Sequence, residues 1–381
     1  MEPSVPCGPY DRSLLTFQDK HVSTEVWAGN ERGKLILRQG TSRLLDWVIK
    51  EPQKRYIESW GFKGFKSPCS ILQNDVGLIS ALVERWRPET NSFHFPVGEM
   101  TITLEDVFML LGLPVRGKPI IYERLDRPKS YFLKNWPDSS LNLKHKKELY
   151  GKSGISLKKL RDRYKELPNL EEGDEESVKA HSLAYVLYVI GSVLFADNCQ
   201  DVVHPKYLQL LLQQQDDSIP YAWGAGVLGF LYKGLYKASR KESTGIEGCL
   251  TLLQLWSYER ILPGRPTIAP EQEYTWPRIV AWGKYVEDRY ENPHHHLRVY
   301  RGQFDTFDPR WLTWEPYAHF YMTEDDEYEV GPRTGLARVP LIHWNIVEYH
   351  MPDRVLRQFG KPQHIPDPPT VVWERRAPLP R

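Results

Sequence analysis

The stretch SFHFPVGEMTITLEDVFMLLGLP, residues 92–114, constrains the fold of this chain more than any other. Phe93, His94 and Phe95 read as one short strand and Met100, Thr101 and Ile102 as a second, joined across Pro96, Val97, Gly98 and Glu99, which carry turn chemistry. Thr103 then stands where a helix N-cap belongs. Glu105 and Asp106 set negative charge on the positive first turn, and Gly112 with Pro114 closes the helix. Hairpin, helix and stop form one supersecondary unit.

Helical periodicity dominates elsewhere. In residues 71–87, Val76, Ile79, Leu82, Val83 and Trp86 recur at three- and four-residue intervals until Pro88 stops the run, which predicts an amphipathic helix. Residues 177–262 are richly apolar, and helices are expected at 176–196, 203–214, 220–238 and 247–261, with connections short enough for antiparallel neighbours. In an isolated helix Gly224, Gly226 and Gly229 would each cost about 1 kcal/mol against Ala, so close helix packing is their expected role. The apolar run 182–196 falls below the roughly 20 residues that cross a bilayer and reads as a buried helix, with no membrane contact expected. Leu44, Leu45 and Val48 share a helical face in residues 43–50, and Ser156 caps a basic helix over 157–167. Residues 277–290 are helix-like, 311–317 and 339–350 look extended, 352–359 form a short helix before Gly360, and 115–155 read as a long, partly ordered connection. The fold class that follows is mainly α: one large helical domain, residues 51–361, with small β-hairpins. An arm, residues 1–50, packs on it, and residues 362–381 form a Pro-rich tail or linker. No internal repeat is visible.

Composition narrows the function classes. With 41% hydrophobic and 26% charged residues, collagen-like, disordered and coiled-coil readings are excluded. Fifty Lys and Arg against 49 Asp and Glu leave a net charge of +1, which removes the global electrostatic argument for a nucleic-acid binder. A local one remains: residues 144–166 hold nine Lys or Arg against three acids, and Glu171, Glu172, Asp174, Glu175 and Glu176 follow. Cys7, Cys69, Cys199 and Cys249 form no CxxC pair, so neither a disulfide framework nor a zinc ribbon is expected, and a reducing compartment fits. The first ten residues lack the apolar core of a secretory signal.

The run LVERWRPETNSFHFPVGEMTITLEDVFMLLGLPVRG from Leu82 and the run VEYHMPDRVLRQFGKPQHIP from Val347 together resemble the plant mobile domain, also called the aminotransferase-like plant mobile domain. HVSTEVWAG (21–29) and YIESWGF (56–62) fit as well, and the chain is most similar to the Maintenance of Meristems-like group. The resemblance implies a mainly helical, plant-specific domain shared between transposable elements and host genes, with nuclear roles in transposon silencing, gene-expression control, genome stability and meristem maintenance. It also implies action in complexes, including with a phosphatase of the protein phosphatase 7 type. It supplies no catalytic residues.

Lys152 in YGKSGIS lies in the only passage that resembles a phosphate cup, but no strand precedes it and it reads as a polar loop, so no cofactor is expected. Asp325, Asp326 and Glu327 are consecutive and point apart, which suits a solvated loop rather than a two-metal site. His294, His295 and His296 lack the supporting spacing of structural zinc, so no metal is expected. His343, His350 and His364 read as core or capping residues, and Cys199 and Cys249 as buried thiols. Arg354, Arg357, Lys361 and His364 gather cationic and polar groups around the C-terminal helix. With Lys158, Lys159, Arg161 and Arg163 they are the candidate anion- or partner-binding residues. The competing reading is structural: Val355, Leu356 and Phe359 bury the opposite face while Asp353 pairs with Arg357 at i+4. The thirteen Trp, among them Trp27, are scattered, which suits core positions with one or two left to anchor a partner. The expected function is a non-enzymatic nuclear interaction module; direct DNA or RNA binding and an enzyme with an unrecognised site are the alternatives.

Overall fold

Three strands and one capped helix build the centre of the molecule, and the remaining helices pack around them. The structure is a computed structural model and describes residues 12–30, 32–38, 42–67, 73–121, 127–151, 153–167, 174–198, 201–214, 219–268, 273–283, 293–322 and 334–366. In chain order come α1 (Val22–Trp27), β1 (Ile36–Leu37), α2 (Glu51–Ser59), α3 (Val76–Arg85), β2 (Trp86–Arg87), β3 (Ser92–Phe95), β4 (Gly98–Met100) and α4 (Leu104–Leu111). There follow α5 (Pro128–Asn135), α6 (Leu143–Leu149), β5 (Ile155–Ser156), α7 (Leu157–Tyr164), α8 (Glu175–Val189), β6 (Val202–Val203), α9 (Pro205–Gln214) and α10 (Trp223–Ala238). The chain ends with β7 (Gly245–Ile246), α11 (Leu250–Arg260), α12 (Arg278–Trp282), α13 (Pro293–Asp305), β8 (Val339–His343) and β9 (Ile346–His350). The mainly helical expectation holds. β2, β3 and β4 form one antiparallel sheet and β8 and β9 a hairpin, while β1–β7 and β5–β6 are two-residue pairings.

The central unit departs from expectation in its turn. Phe95 pairs with Gly98, so the loop is two residues, Pro96 and Val97, rather than four. Gly98 makes this tight reversal cheap because its φ of 128° lies where other residues are strained. Trp86 leaves the helix to pair with Phe93 in the sheet, and its ring packs against those of Phe93 and Tyr232. α4 is capped as read: Thr103 Oγ1 accepts the Asp106 N–H at 3.3 Å, Asp106 Oδ2 accepts the Thr103 N–H at 2.8 Å, and Gly112 closes the helix at φ 62°.

The long apolar helices lie close to their expected limits. α8 continues through one π-helical turn, Ile190–Leu194. The combined helix is longer than the apolar run, because Glu175, Glu176 and Lys179 extend it with polar turns, and it meets the length and hydropathy of a membrane span. Its apolar window is nevertheless 83% buried inside the protein. α10 lies against α4, β8 and β9, and its glycines do what close packing asks. A Cβ at Gly226 would meet Ile120 Cδ1 at 2.5 Å, and one at Gly229 would meet Leu341 Cβ at 3.0 Å. Leu44, Trp47 and most other Trp join one buried cluster, whereas Trp27 is 54% exposed.

Three other expectations change. Residues 43–50 form no α-helix: a 3-10 turn, Ser42–Asp46, is followed by Val48 pairing to the end of α7. The connection 115–155 contains α5 and α6, whose short lengths hide their period. The segment 311–317 is extended only at Leu312, which bridges to Ile261. Lys152, Asp325, Asp326, Glu327, Cys7, Cys69 and Cys199 lie outside the described residues.

Buried histidines stitch distant segments together, and their hydrogen bonds require the neutral ring. His350 Nδ1 donates to Ala337 O at 2.7 Å while Nε2 accepts the Leu104 N–H at 3.3 Å. His21 Nε2 donates to Trp86 O at 2.7 Å while Nδ1 accepts the Ser23 N–H at 3.1 Å, capping α1. Burial pushes His350 down to about 4 and His21 to about 3. Because the unfolded chain binds these protons near pH 6.5, stability is full above that value and falls as pH drops from about 6.5 toward 4. Each ring contributes on the order of 1.4 kcal/mol per pH unit inside that window. Urea midpoints should therefore decline between pH 7 and pH 5; equal midpoints at the two values would contradict the assignment.

Candidate functional site

The two runs that carry the family resemblance meet in space. Arg354, buried in the 3-10 helix Pro352–Phe359, grips Glu99 with both arms, Nε to Oε2 at 2.9 Å and Nη2 to Oε1 at 2.7 Å. Gln358 pairs with the backbone of Thr101 as a strand would, accepting its N–H at 2.8 Å and donating to its carbonyl at 2.9 Å. Asn91 Nδ2 donates to Tyr349 O at 3.2 Å. Hairpin β3–β4 and the C-terminal helix are one interlocked unit.

Beneath it lies a buried charge cluster. Asp106 Oδ1 accepts Arg260 Nε at 2.9 Å and the Tyr317 hydroxyl at 3.0 Å. Arg260 Nη2 also lies 2.8 Å from that oxygen, as a charge contact without hydrogen-bond alignment. Burial weakens the Arg260 base, but Asp106, Tyr317 and Glu105 outweigh it and raise its pKa. At the hairpin, burial pushes the Glu99 carboxyl up, and the Arg354 fork, His94 and Ser92 reverse this to leave it below the ordinary range. Thr90 Oγ1 sits 3.2 Å from His94 Nε2, and Ser92 Oγ donates to Glu99 Oε2 at 2.8 Å. Hydroxyl, imidazole and carboxylate are thus adjacent, but the carboxylate is already held by Arg354.

The sequence-derived candidates separate. Arg354 is spent on Glu99. Arg357 is exposed, donates to Val97 O at 3.3 Å and lies over the Trp314 ring. Asp353 pairs with Arg338 at 3.4 Å, not with Arg357, because the helix kinks at Val355 (φ −133°) and loses the i+4 alignment. Lys361 and His364 are exposed. On α7, Lys158 and Arg163 are exposed, Lys159 Nζ donates to Glu148 O at 2.6 Å, and Arg161 pairs with Asp162 and Asp46. Sequence reading missed Glu99 and Arg260 as ion-pair partners; a lone arginine ending the apolar helix TLLQLWSYER was the available signal for Arg260.

Among the described residues no group of three His, Cys, Asp or Glu is placed to hold a metal. Burial pushes the Cys249 thiol up to about 12, where it is no nucleophile. A cleft of about 80 Å³ between Phe17, Lys20, Tyr236 and Arg240 is well below the roughly 300–1,000 Å³ of small-molecule sites.

An interlocked hairpin and C-terminal helix around buried ion pairs define a helical domain recognised by two distant runs. A sequence profile of the plant mobile domain matches residues 62–378, and the chain belongs to that family. It is similar to Protein MAIN-LIKE 1 of Arabidopsis thaliana, 39% identical over 95% of this chain and 69% of that protein. Protein MAINTENANCE OF MERISTEMS of the same plant is 37% identical over 93% of this chain and 71% of its own length. A Serine/threonine-protein phosphatase 7 long form homolog, also from Arabidopsis thaliana, is 35% identical over 95% of this chain but only 27% of that protein. No solved structure matches.

The two arginines of the C-terminal helix should respond differently to truncation. Arg354→Ala strands the mostly buried Glu99 and is expected to lower stability by about 2–4 kcal/mol, short of the full cost of a wholly buried pair because Glu99 keeps some solvent. Arg357→Ala should stay within about 1 kcal/mol. Denaturant titration of both variants decides; equal losses would refute the division of roles.

Proposed function

We propose that this chain is a non-enzymatic protein-interaction module of the nucleus, acting in transposon silencing, gene-expression control, genome stability and meristem maintenance, in complex with a protein phosphatase 7-type protein. The observation that carries this reading is the internal use of the signature charges: Arg354, Glu99, Asp106 and Arg260 hold the fold together. The name of one relative supports the meristem role, and that of another, which shares this region, supports the phosphatase association. Trp27, inside the run HVSTEVWAG yet 54% exposed, and Tyr274, 67% exposed, are aromatic side chains of the kind that anchor interfaces. Trp27→Ala or Tyr274→Ala should abolish co-purification of a phosphatase-type partner from plant nuclei while leaving the thermal transition in place. Undiminished capture by both variants would count against the reading.

A second reading, direct DNA or RNA binding, is favoured by one feature. Lys129, Lys134, Lys144, Lys147, Lys158 and Arg163 are exposed on the neighbouring helices α5, α6 and α7, and form no ion pair among the described residues. Binding through this face would weaken with salt, with a log–log slope of about 0.9 per phosphate contacted on duplex DNA. Lys158→Glu with Arg163→Glu should lower both affinity and slope in a fluorescence titration; no binding at low salt eliminates the reading.

A further inference from the structure

The small cleft where the chain before α1 meets the end of α10 is apolar inside, and its walls are pinned from three segments. The Phe17 N–H donates to Glu89 Oε1 at 2.7 Å, and the Phe17 ring meets that of Tyr236 edge-on at 5.9 Å, opposite Pro88. The Val22 N–H donates to Ser239 O at 2.8 Å and the Lys241 N–H to Lys20 O at 2.9 Å, on either side of a backbone bridge between His21 and Arg240. Both ring nitrogens of His21 are engaged, with Trp86 O and the Ser23 N–H, and Ser239 Oγ donates to Tyr236 O at 3.0 Å. With these polar atoms turned onto the backbone, the cleft is lined mostly by carbon and is ready-formed.

Volume and charge define what fits. The cleft of about 80 Å³ is close to half of the roughly 150 Å³ that holds a benzene ring, so it takes one branched aliphatic side chain and no aromatic one. Lys20 and Arg240 are the charged residues that line it, and no carboxylate among the described residues does. Lys20 is exposed and forms no ion pair among the described residues. Arg240 meets Glu242 only at 3.8 Å across an exposed contact, which is worth little and is readily exchanged. Lys241 adds a cation beside them, facing Glu25 at 3.9 Å, while Asp19 is exposed next to Lys20 without lining the cleft. The negative end of α10 does not cancel this field, because Arg32 Nη1 donates to Ala238 O at 2.5 Å and the Val22 N–H covers Ser239 O.

We propose that this cleft docks an acidic peptide segment of a partner protein, which inserts one valine- or leucine-sized side chain between Phe17, Pro88 and Tyr236 while the carboxylates flanking it meet Lys20 and Arg240. A basic segment would face like charges at the same place. The pinned walls need no reordering, so the ordering cost falls on the peptide alone. A buried apolar anchor within a charged rim is the usual anatomy of such a contact. The proposal rests on the interaction-module reading, but neither Trp27 nor Tyr274 lines the cleft, so phosphatase capture and peptide docking can fail separately.

The test is fluorescence anisotropy of the intact chain with a labelled synthetic peptide, one leucine between pairs of glutamates, at low salt. Saturable binding is expected, and it should weaken more than about tenfold when alanine replaces the leucine, because the lost apolar burial carries at least that factor. Tryptophan in place of the leucine, or lysines in place of the glutamates, should abolish it. Lys20→Glu with Arg240→Glu should weaken binding of the glutamate peptide by about tenfold while the thermal transition stays in place. No saturable binding, equal affinity for the alanine or tryptophan peptide, or binding undiminished in the double variant, as a peptide held by the cations of α5 to α7 would show, overturns the proposal.

Discussion

A single carboxylate, Asp106, answers two demands at once. Its Oδ2 accepts the Thr103 N–H and hydroxyl, both at 2.8 Å, and so closes the first turn of α4. Its Oδ1 neutralises Arg260 and receives the Tyr317 hydroxyl. Asp106 and Arg260 are both fully buried, and an isolated charge there would carry a penalty of several kcal/mol. Paired and hydrogen-bonded, the two come close to neutral in net stability, so what they supply is alignment. α4, the end of α11 and the segment before Ala318 are held in one arrangement, because any other leaves a charge unpaired in the core.

The same logic extends outward. Glu99 and Arg354 join the hairpin to the C-terminal helix, Gln358 completes the backbone pairing of Thr101, and His350 accepts the Leu104 N–H. Each is a polar group whose burial is tolerated only because its partner comes from a distant segment. The two runs by which the family is recognised therefore describe how the domain is held together. Exposed Trp27 and the exposed cations of α5 to α7 lie outside these two runs.

Legibility from sequence followed the range of the interaction. The cap of α4, its glycine stop and the long apolar helices were readable, since caps and periodicity involve residues a few positions apart. The packing role of Gly226 and Gly229 was inferable from their cost in a helix, though not their partners Ile120 and Leu341. The ion pairs were not readable: Asp106 to Arg260 spans 154 positions and Arg354 to Glu99 spans 255. A helix propensity argument places Arg357 beside Asp353, but the kink at Val355 gives Asp353 to Arg338 instead. For RLLDWVIK both the period and the element were wrong: Leu44 and Trp47 enter the core while Leu45 and Val48, read onto the same face as Leu44, are exposed, and the Val48 N–H bonds Lys165 O.

Net charge illustrates why a whole-chain number misleads. The formal +1 sums two populations that do different things. One consists of buried pairs such as Arg260 with Asp106, which cancel within a few ångströms and project no field. The other is the exposed set, segregated so that α5 to α7 carry cations while Asp174, Glu175 and Glu176 crowd the start of α8. A partner senses only the second population, over a screening distance of roughly 8 Å at physiological salt. A core neutralised from within also suits a domain whose relatives place it in chains of very different length, spanning 69% of one and 27% of another. Its alignment is set by its own residues.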